Sequence, residues 1–153
     1  MSENRDCRKK ALQILERMDR TEQELREKLL RKEFSPDAVE DAIAYVTSYG
    51  YLDDARYAEH YVSYRKQFKS IRRMQFELRQ KGIREEWIEA ALQNAASSDD
   101  EQKLIESLIM KRIRDPETAD RASVEKCKAY LYRQGFRMAD ILRGLEKCGL
   151  TGF

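Results

Sequence analysis

The residues in this chain best suited to chemistry are cations. Between Arg65 and Arg84 stand Arg65, Lys66, Lys69, Arg72, Arg73, Arg79, Lys81 and Arg84, against the single acid Glu77. This stretch carries a net charge of +7 in a chain of net +2, so the remainder carries −5. Charge gathered in one place points to an anionic partner, drawn in by long-range attraction and held by pairing with phosphate or carboxylate oxygens. The competing reading of such a run is a solvated helix face. Aromatic residues are interleaved with the cations. Tyr57, Tyr61, Tyr64 and Phe68 recur at helical spacing, which predicts packing for Tyr57 and Tyr61 and a more open place for Tyr64, beside Arg65 and Lys66. Phe76 falls outside the apolar row Ile71, Met74 and Leu78 and shares its side of the helix with Arg72, Arg79 and Gln80. An aromatic among arginines suits anchoring to a protein or a base, and packing against a neighbouring element is the alternative. The candidate partner or nucleic-acid contacts are therefore Arg65, Lys66, Lys69, Arg72, Arg73, Phe76, Arg79 and Lys81.

Other chemistries find little support. His60 is the only histidine, and no nucleophile pattern accompanies it. No glycine-rich phosphate loop of either common type is present. Cys7, Cys127 and Cys148 are widely spaced, with neither metal nor disulfide patterning; Cys127 reads as a small core residue and the other two as free reduced thiols. Asp53 and Asp54 form the one acidic pair that invites a metal, yet they open a helix, where aspartate satisfies free N–H groups and complements the helix dipole. Neither enzymatic activity nor a cofactor or metal is expected. The N-terminal segment lacks the apolar run of a signal peptide, and no stretch of about 18 apolar residues exists, so a cytoplasmic protein is expected.

The elements that must position the cations are helices. Of 153 residues, 38% are charged and 41% hydrophobic, with only 2 prolines and 6 glycines, a helix-rich composition. The first helix is expected over about residues 4–18, with Leu12 and Leu15 beginning its apolar side. Thr21 and Glu24 form a capping box for the second, in which Leu25, Leu29 and Leu30 point inward. Ser35-Pro36 starts the third, lined by Val39, Ala42, Ile43 and Val46 and ended by Gly50. The plan then repeats: helices over 54–67, 70–81 and 85–94, a polar break at Ser97 to Asp100 with a new cap, and helices over 101–113, 123–133 and 138–147, with Gly149 and Gly152 closing the chain.

A shift of 49 residues overlays the first third on the second, and a shift of 53 the second on the third. Thr21, Ser70 and Ser123 then coincide as helix caps. Leu25, Met74 and Cys127 coincide in the core, as do Leu29, Leu78 and Leu131; Phe34, Ile83 and Phe136; Val39, Ile88 and Ile141; and Ile43, Leu92 and Leu145. The expected fold is all-α: three tandem three-helix repeats, residues 1–50, 51–96 and 97–153, stacked into a curved, elongated array because one such unit buries too little core alone.

The sequence resembles the RecX family of bacterial recombination regulators. The resemblance is carried by Gly50 to Asp54, Arg56 to Ala58 and Arg65, by Glu77 to Ile83, by Glu22 to Leu29, and by Tyr130 to Phe136. It implies three stacked three-helix repeats and a non-enzymatic regulator, usually an inhibitor, of the RecA recombinase. Such a protein binds the RecA–single-stranded-DNA filament along its helical groove and suppresses ATPase and strand exchange, within DNA repair and the SOS response. A monomer that meets the filament and single-stranded DNA is expected. The alternative is a stand-alone nucleic-acid-binding module with no recombinase partner. One departure stands out: the family's glycine- and proline-containing linker before the fifth helix reads KQFKSIRRMQF here, which predicts a stiffer joint or a helix running through it.

Overall fold

In the computed structural model, residues 2–93, 95 and 98–150 are described. They form nine helices and no strand: α1 (Ser2–Arg17), α2 (Glu22–Arg31), α3 (Pro36–Ser48), α4 (Asp54–Arg65), α5 (Ile71–Gln80), α6 (Glu85–Leu92), α7 (Ser98–Arg112), α8 (Arg121–Arg133) and α9 (Met138–Lys147). The chain is thus all-α and built from three-helix repeats. No helix among the described residues is long and apolar enough to cross a membrane. The polar break expected over Ser97 to Asp100 is corrected, since α7 already begins at Ser98; Ser97 itself, the end of α6 at Asn94 and the closing Gly152 lie outside the described residues.

The chain divides into two compact units, Met1–Tyr61 with Glu77–Gln93, and Val62–Phe76 with Asn94–Phe153. The first unit packs α1, α2 and α3 around Cys7, Ala11, Ile14, Leu25, Leu29, Val39, Ala42, Ile43, Val46 and Leu52. The buried row of α1 is Cys7, Ala11 and Ile14, at i, i+4 and i+7, whereas Leu12 and Leu15 only border the core. The sequence pattern misleads here because Cys and Ala are small enough to let α1 approach α3 closely, and leucine is too readily taken as the anchor. Burial pushes the Cys7 thiol up to about 11, which keeps it protonated. Leu30, expected inward, is 43% exposed, since Leu25 and Leu29 already fill the inner side of α2. Bidentate hydrogen bonds from Arg8 to Asp41, at 2.8 and 2.9 Å, tie α1 to α3.

The second unit packs α7, α8 and α9 around Ile105, Ile109, Val124, Cys127, Leu131, Phe136, Ile141 and Leu145, with Phe68 against the same core. The cap of α8 is Asp120, whose Oδ1 accepts from the Ser123 N–H at 2.8 Å. Ser123 therefore sits in the first turn and is exposed, a correction to its expected role as cap; the carboxylate three residues upstream is the better acceptor for a free helical N–H.

Between α4 and α5 the helix stops without glycine or proline. Phe68 and Lys69 N–H groups both donate to the Arg65 carbonyl, at 3.1 and 2.9 Å, and close a turn. Ser70 then starts α5, its Oγ accepting from the Arg73 N–H at 3.0 Å. Of the two alternatives for this joint, a helix running through it is excluded, and the two helices stay separate as expected: a buried capping serine and the anchoring of Phe68 against the core break the chain in place of a special backbone residue.

The overlay of core positions holds. Of its fifteen side chains, all are buried except Phe34 and Leu92, which are partly so. The two aligned caps also share a further role that spacing alone does not show. Thr21 and Ser70 are the buried polar residues of the described chain, 0% and 1% exposed. In the first unit Thr21 completes its capping box with Glu24 and also donates through Oγ1 to the Lys81 carbonyl at 2.8 Å. In the second unit the Ser70 N–H donates to the Gln134 carbonyl at 3.0 Å. Lys81 and Gln134 are equivalent under the repeat shift of 53. The start of each second helix thus receives the glycine turn, Gly82 or Gly135, of the following repeat, and the same joint is made once in each unit.

Candidate anion-binding surface

In the second unit, α4 ends at Arg65 and the turn carries Lys66 and Lys69. Lys66 is exposed; Arg65 and Lys69 are half-buried. The Arg65 guanidinium lies 5.8 Å from the centroid of the Tyr64 ring, which is 64% exposed and meets Phe68 edge-on at 5.7 Å. Phe68 is held by the core, so the aromatic platform beside Arg65 is anchored at its inner edge. On α5, Arg72 is exposed and donates from Nη2 to the Gly135 carbonyl at 2.9 Å. A carbonyl carries no formal charge, so this bond orients the guanidinium without neutralising it. The Arg73 guanidinium stands 5.5 Å from the ring of Phe76, which is 50% exposed. The backbone below is fixed tightly: Gly135 adopts φ +93°, and a Cβ there would come within 2.3 Å of Arg73 Cβ and 2.4 Å of Ser70 Oγ. Glu101 packs under the start of α5; burial raises its carboxyl above the usual range despite a hydrogen bond from the Ile71 N–H and the nearby Arg72 and Arg137.

In the first unit the remaining candidates have different surroundings. Arg79 makes a bidentate pair with Glu85, at 2.9 and 2.6 Å. Lys81 binds Glu24 at 3.1 Å and lies 5.8 Å from the Tyr57 ring. Burial pushes the Glu24 carboxyl up, but the Thr21 N–H and Lys81 ammonium outweigh it and hold the group below its usual range. Both cations are therefore committed to carboxylates within the fold. Tyr61 is buried and donates its hydroxyl to Glu77, and Tyr57 stacks on Tyr61 with ring centroids 6.2 Å apart. Tyr57 and Tyr61 are packing residues, as their stripe predicts, and His60 is exposed.

The acidic pair divides its labour. Asp53 caps its own helix, Oδ1 accepting from the Arg56 N–H at 3.0 Å. Asp54 instead accepts, through Oδ1, from the Glu22 N–H at 2.8 Å and caps α2. Burial raises its carboxyl, with Glu22, Asp53 and Glu24 nearby adding to the effect against the hydrogen bond that lowers it. Spacing could not reveal that partner, 32 residues away.

Against known protein families, residues 7–45 match the first three-helix domain of RecX and residues 53–92 the second. The regulatory protein RecX of Trichlorobacter lovleyi is 34% identical over 92% of this chain and 93% of its own. That of Caldanaerobacter subterraneus subsp. tengcongensis is 30% identical over 94% of this chain and 71% of its own. Among solved structures, RecX from Lactobacillus salivarius superposes with a TM-score of 0.71 at 23% identity, over 97% of this chain and 98% of that one, a likeness of fold.

Proposed function

Because the chain belongs to the RecX family of regulatory proteins, we propose that it regulates RecA by binding the RecA–single-stranded-DNA filament and suppressing its ATPase and strand-exchange activities. The observation that carries this reading is the basic stretch, net +7 in a chain of net +2. Within it, Lys66, Arg72, Arg73 and Phe76 are exposed, Arg73 lies beside the Phe76 ring, and Arg72 is oriented by the Gly135 carbonyl. Arg65, Lys66, Lys69, Arg72, Arg73 and Phe76 supply the contacts to acidic filament surface or DNA phosphates. Arg79 and Lys81, bound to Glu85 and Glu24, support the fold beneath. The chain acts as a monomer in the cytoplasm, within DNA repair and the SOS response. Holding neighbouring recombinase subunits together resists the motions that hydrolysis and exchange require.

The test is DNA-dependent RecA ATPase measured as the protein is titrated in, with binding to naked single-stranded DNA measured alongside. Inhibition well below the concentration that coats naked DNA supports a filament partner. Inhibition only at coating concentrations replaces this reading with a general single-strand-binding module, for which Phe76 beside Arg73 offers a stacking platform.

A further inference from the structure

A separate concentration of cations lies in the first unit. Helices α1 and α2 and the connection between them form a cleft of about 620 Å³. It is lined by Lys10 and Arg17 of α1, Arg20 of the connection, and Lys28 and Lys32 of α2 and its end, with Glu16 as the one lining acid. Several other cations of this unit hold carboxylates: Arg8 holds Asp41, Arg26 holds Glu40, Arg79 holds Glu85 and Lys81 holds Glu24. Among the described residues none of the five cleft cations makes an ion pair, in a chain whose 30 basic and 28 acidic residues leave ample carboxylates to provide one.

Arg20 supplies an independent sign. Its Nε is buried and has no hydrogen-bond partner among the described residues. A buried charged donor without an acceptor is unfavourable and uncommon in folded proteins. Glu24, the carboxylate whose ionisation Arg20 favours, is already committed to the Thr21 N–H and the Lys81 ammonium. Five converging cations suit a compact anion with several acceptor oxygens. A phosphate group fits that description better than a carboxylate: its oxygens spread tetrahedrally toward converging cations, whereas a carboxylate offers two in one plane. No aromatic side chain lines the cleft, so nothing in it would stack a base.

We propose that the cleft between α1 and α2 is a phosphate-binding site, held by Arg20, Lys28 and Lys32 together with Lys10 and Arg17, and distinct from the 65–84 stretch. Two sources supply such a group: the phosphodiester backbone of a nucleic acid, or a free polyphosphate. The experiment titrates the full chain with inorganic tripolyphosphate by calorimetry and with fluorescein-labelled oligothymidylate by anisotropy across a salt series. The variants are Arg20→Gln, the double Lys28→Gln/Lys32→Gln, and the charge-keeping double Lys28→Arg/Lys32→Arg, each checked for helical circular dichroism. Both neutralising variants are expected to weaken tripolyphosphate binding by about tenfold or more, and the arginine double to retain it. Should Arg20→Gln disturb the fold, the lysine doubles decide the matter from the surface of α2. If the neutral double also flattens the salt dependence of oligothymidylate binding, by about 1.4 in slope for two lost contacts, the nucleic-acid backbone is the source. If oligothymidylate binding is unchanged while tripolyphosphate binding is lost, the source is a free polyphosphate. The proposal is overturned if wild type does not bind tripolyphosphate, if the neutral variants bind it as wild type does, or if hexaglutamate binds the same cleft as tightly.

Discussion

Asp54 shows how far a residue's role can sit from its neighbourhood in sequence. Its type and its place before a helix announce a capping aspartate, and it is one, but for α2 rather than α4. The side chain is half-buried among carboxylates, and burial holds its pKa above the ordinary value. The folded state thus binds this proton more tightly than the unfolded chain. Stability from the group is fullest below the ordinary carboxylate pKa and falls as pH rises through the raised one. Asparagine keeps the acceptor and drops the charge, so Asp54→Asn should be more stable than wild type at neutral pH. That advantage should vanish as the solution is acidified below the ordinary carboxylate range. Asp54→Ala, which leaves the Glu22 N–H without its partner, should cost about 1 kcal/mol, or roughly 2–4 °C in Tm. Thermal melts of the three proteins from pH 3 to pH 8 test this; an asparagine variant less stable than wild type at every pH would refute it. Arg72 and Arg79 make the same point about function. They stand seven residues apart and read alike, yet one binds a carbonyl and the other a carboxylate. Sequence tells charge but not its partner, because Glu85 and Gly135 reach α5 only through the fold.

The helices and their core were legible because each repeat obeys local rules: caps at the starts, apolar residues at helical spacing, left-handed turns at the ends. What stayed hidden are the joints, which depend on residues about 60 positions apart, as Thr21 and Lys81 do. Those joints explain a variation between the repeats. The left-handed turn after the second helix is Gly82 in one repeat and Gly135 in the next, but Glu33 in the first, at φ +69°. Gly135 is pressed on Ser70 and Arg73, where no Cβ fits, and Gly82 on the side chain of Gln23. Glu33 is exposed, so only the backbone strain of a non-glycine residue opposes it. Glu33→Gly should therefore raise stability by about 1 kcal/mol, less whatever freedom glycine adds to the unfolded chain. Gly135→Ala should lower it by about 2–4 kcal/mol, since strain and collision act together. Chemical denaturation measures both; a Gly135→Ala loss no larger than the Glu33→Gly gain would mean that the joint yields easily. The α4–α5 break falls where the helices expected over 54–67 and 70–81 leave it, but its cause was not legible. A serine cap and a phenylalanine packed against the core can end a helix, but the sequence shows only that glycine and proline are absent.

At the scale of the molecule, charge is the property that separates function from fold. Many cations of the first unit outside the α1–α2 cleft hold carboxylates, whereas in the second unit Arg72 is exposed and donates to a backbone carbonyl and Arg73 is exposed beside the Phe76 ring. Cations of the first kind should matter to stability, and cations of the second kind to binding. The contrast gives a prediction that neither a solvated helix face nor a purely structural role shares. Arg72→Glu/Arg73→Glu should raise the concentration needed for half-inhibition of RecA ATPase by about tenfold or more, with helical circular dichroism unchanged. Arg79→Glu sets two carboxylates against each other at Glu85, so it should lower Tm while leaving inhibition by the folded protein near wild type. Because the contacts proposed for Arg72 and Arg73 are electrostatic, inhibition by wild type should weaken steeply with added salt, and the double variant should show a shallower dependence. The measurement is a salt series of ATPase inhibition for the three proteins, each corrected for its folded fraction. If the two charge reversals proved interchangeable, with equal effects on inhibition, the partner would be sensing net charge alone, and the assignment of binding to the residues around Phe76 would fall.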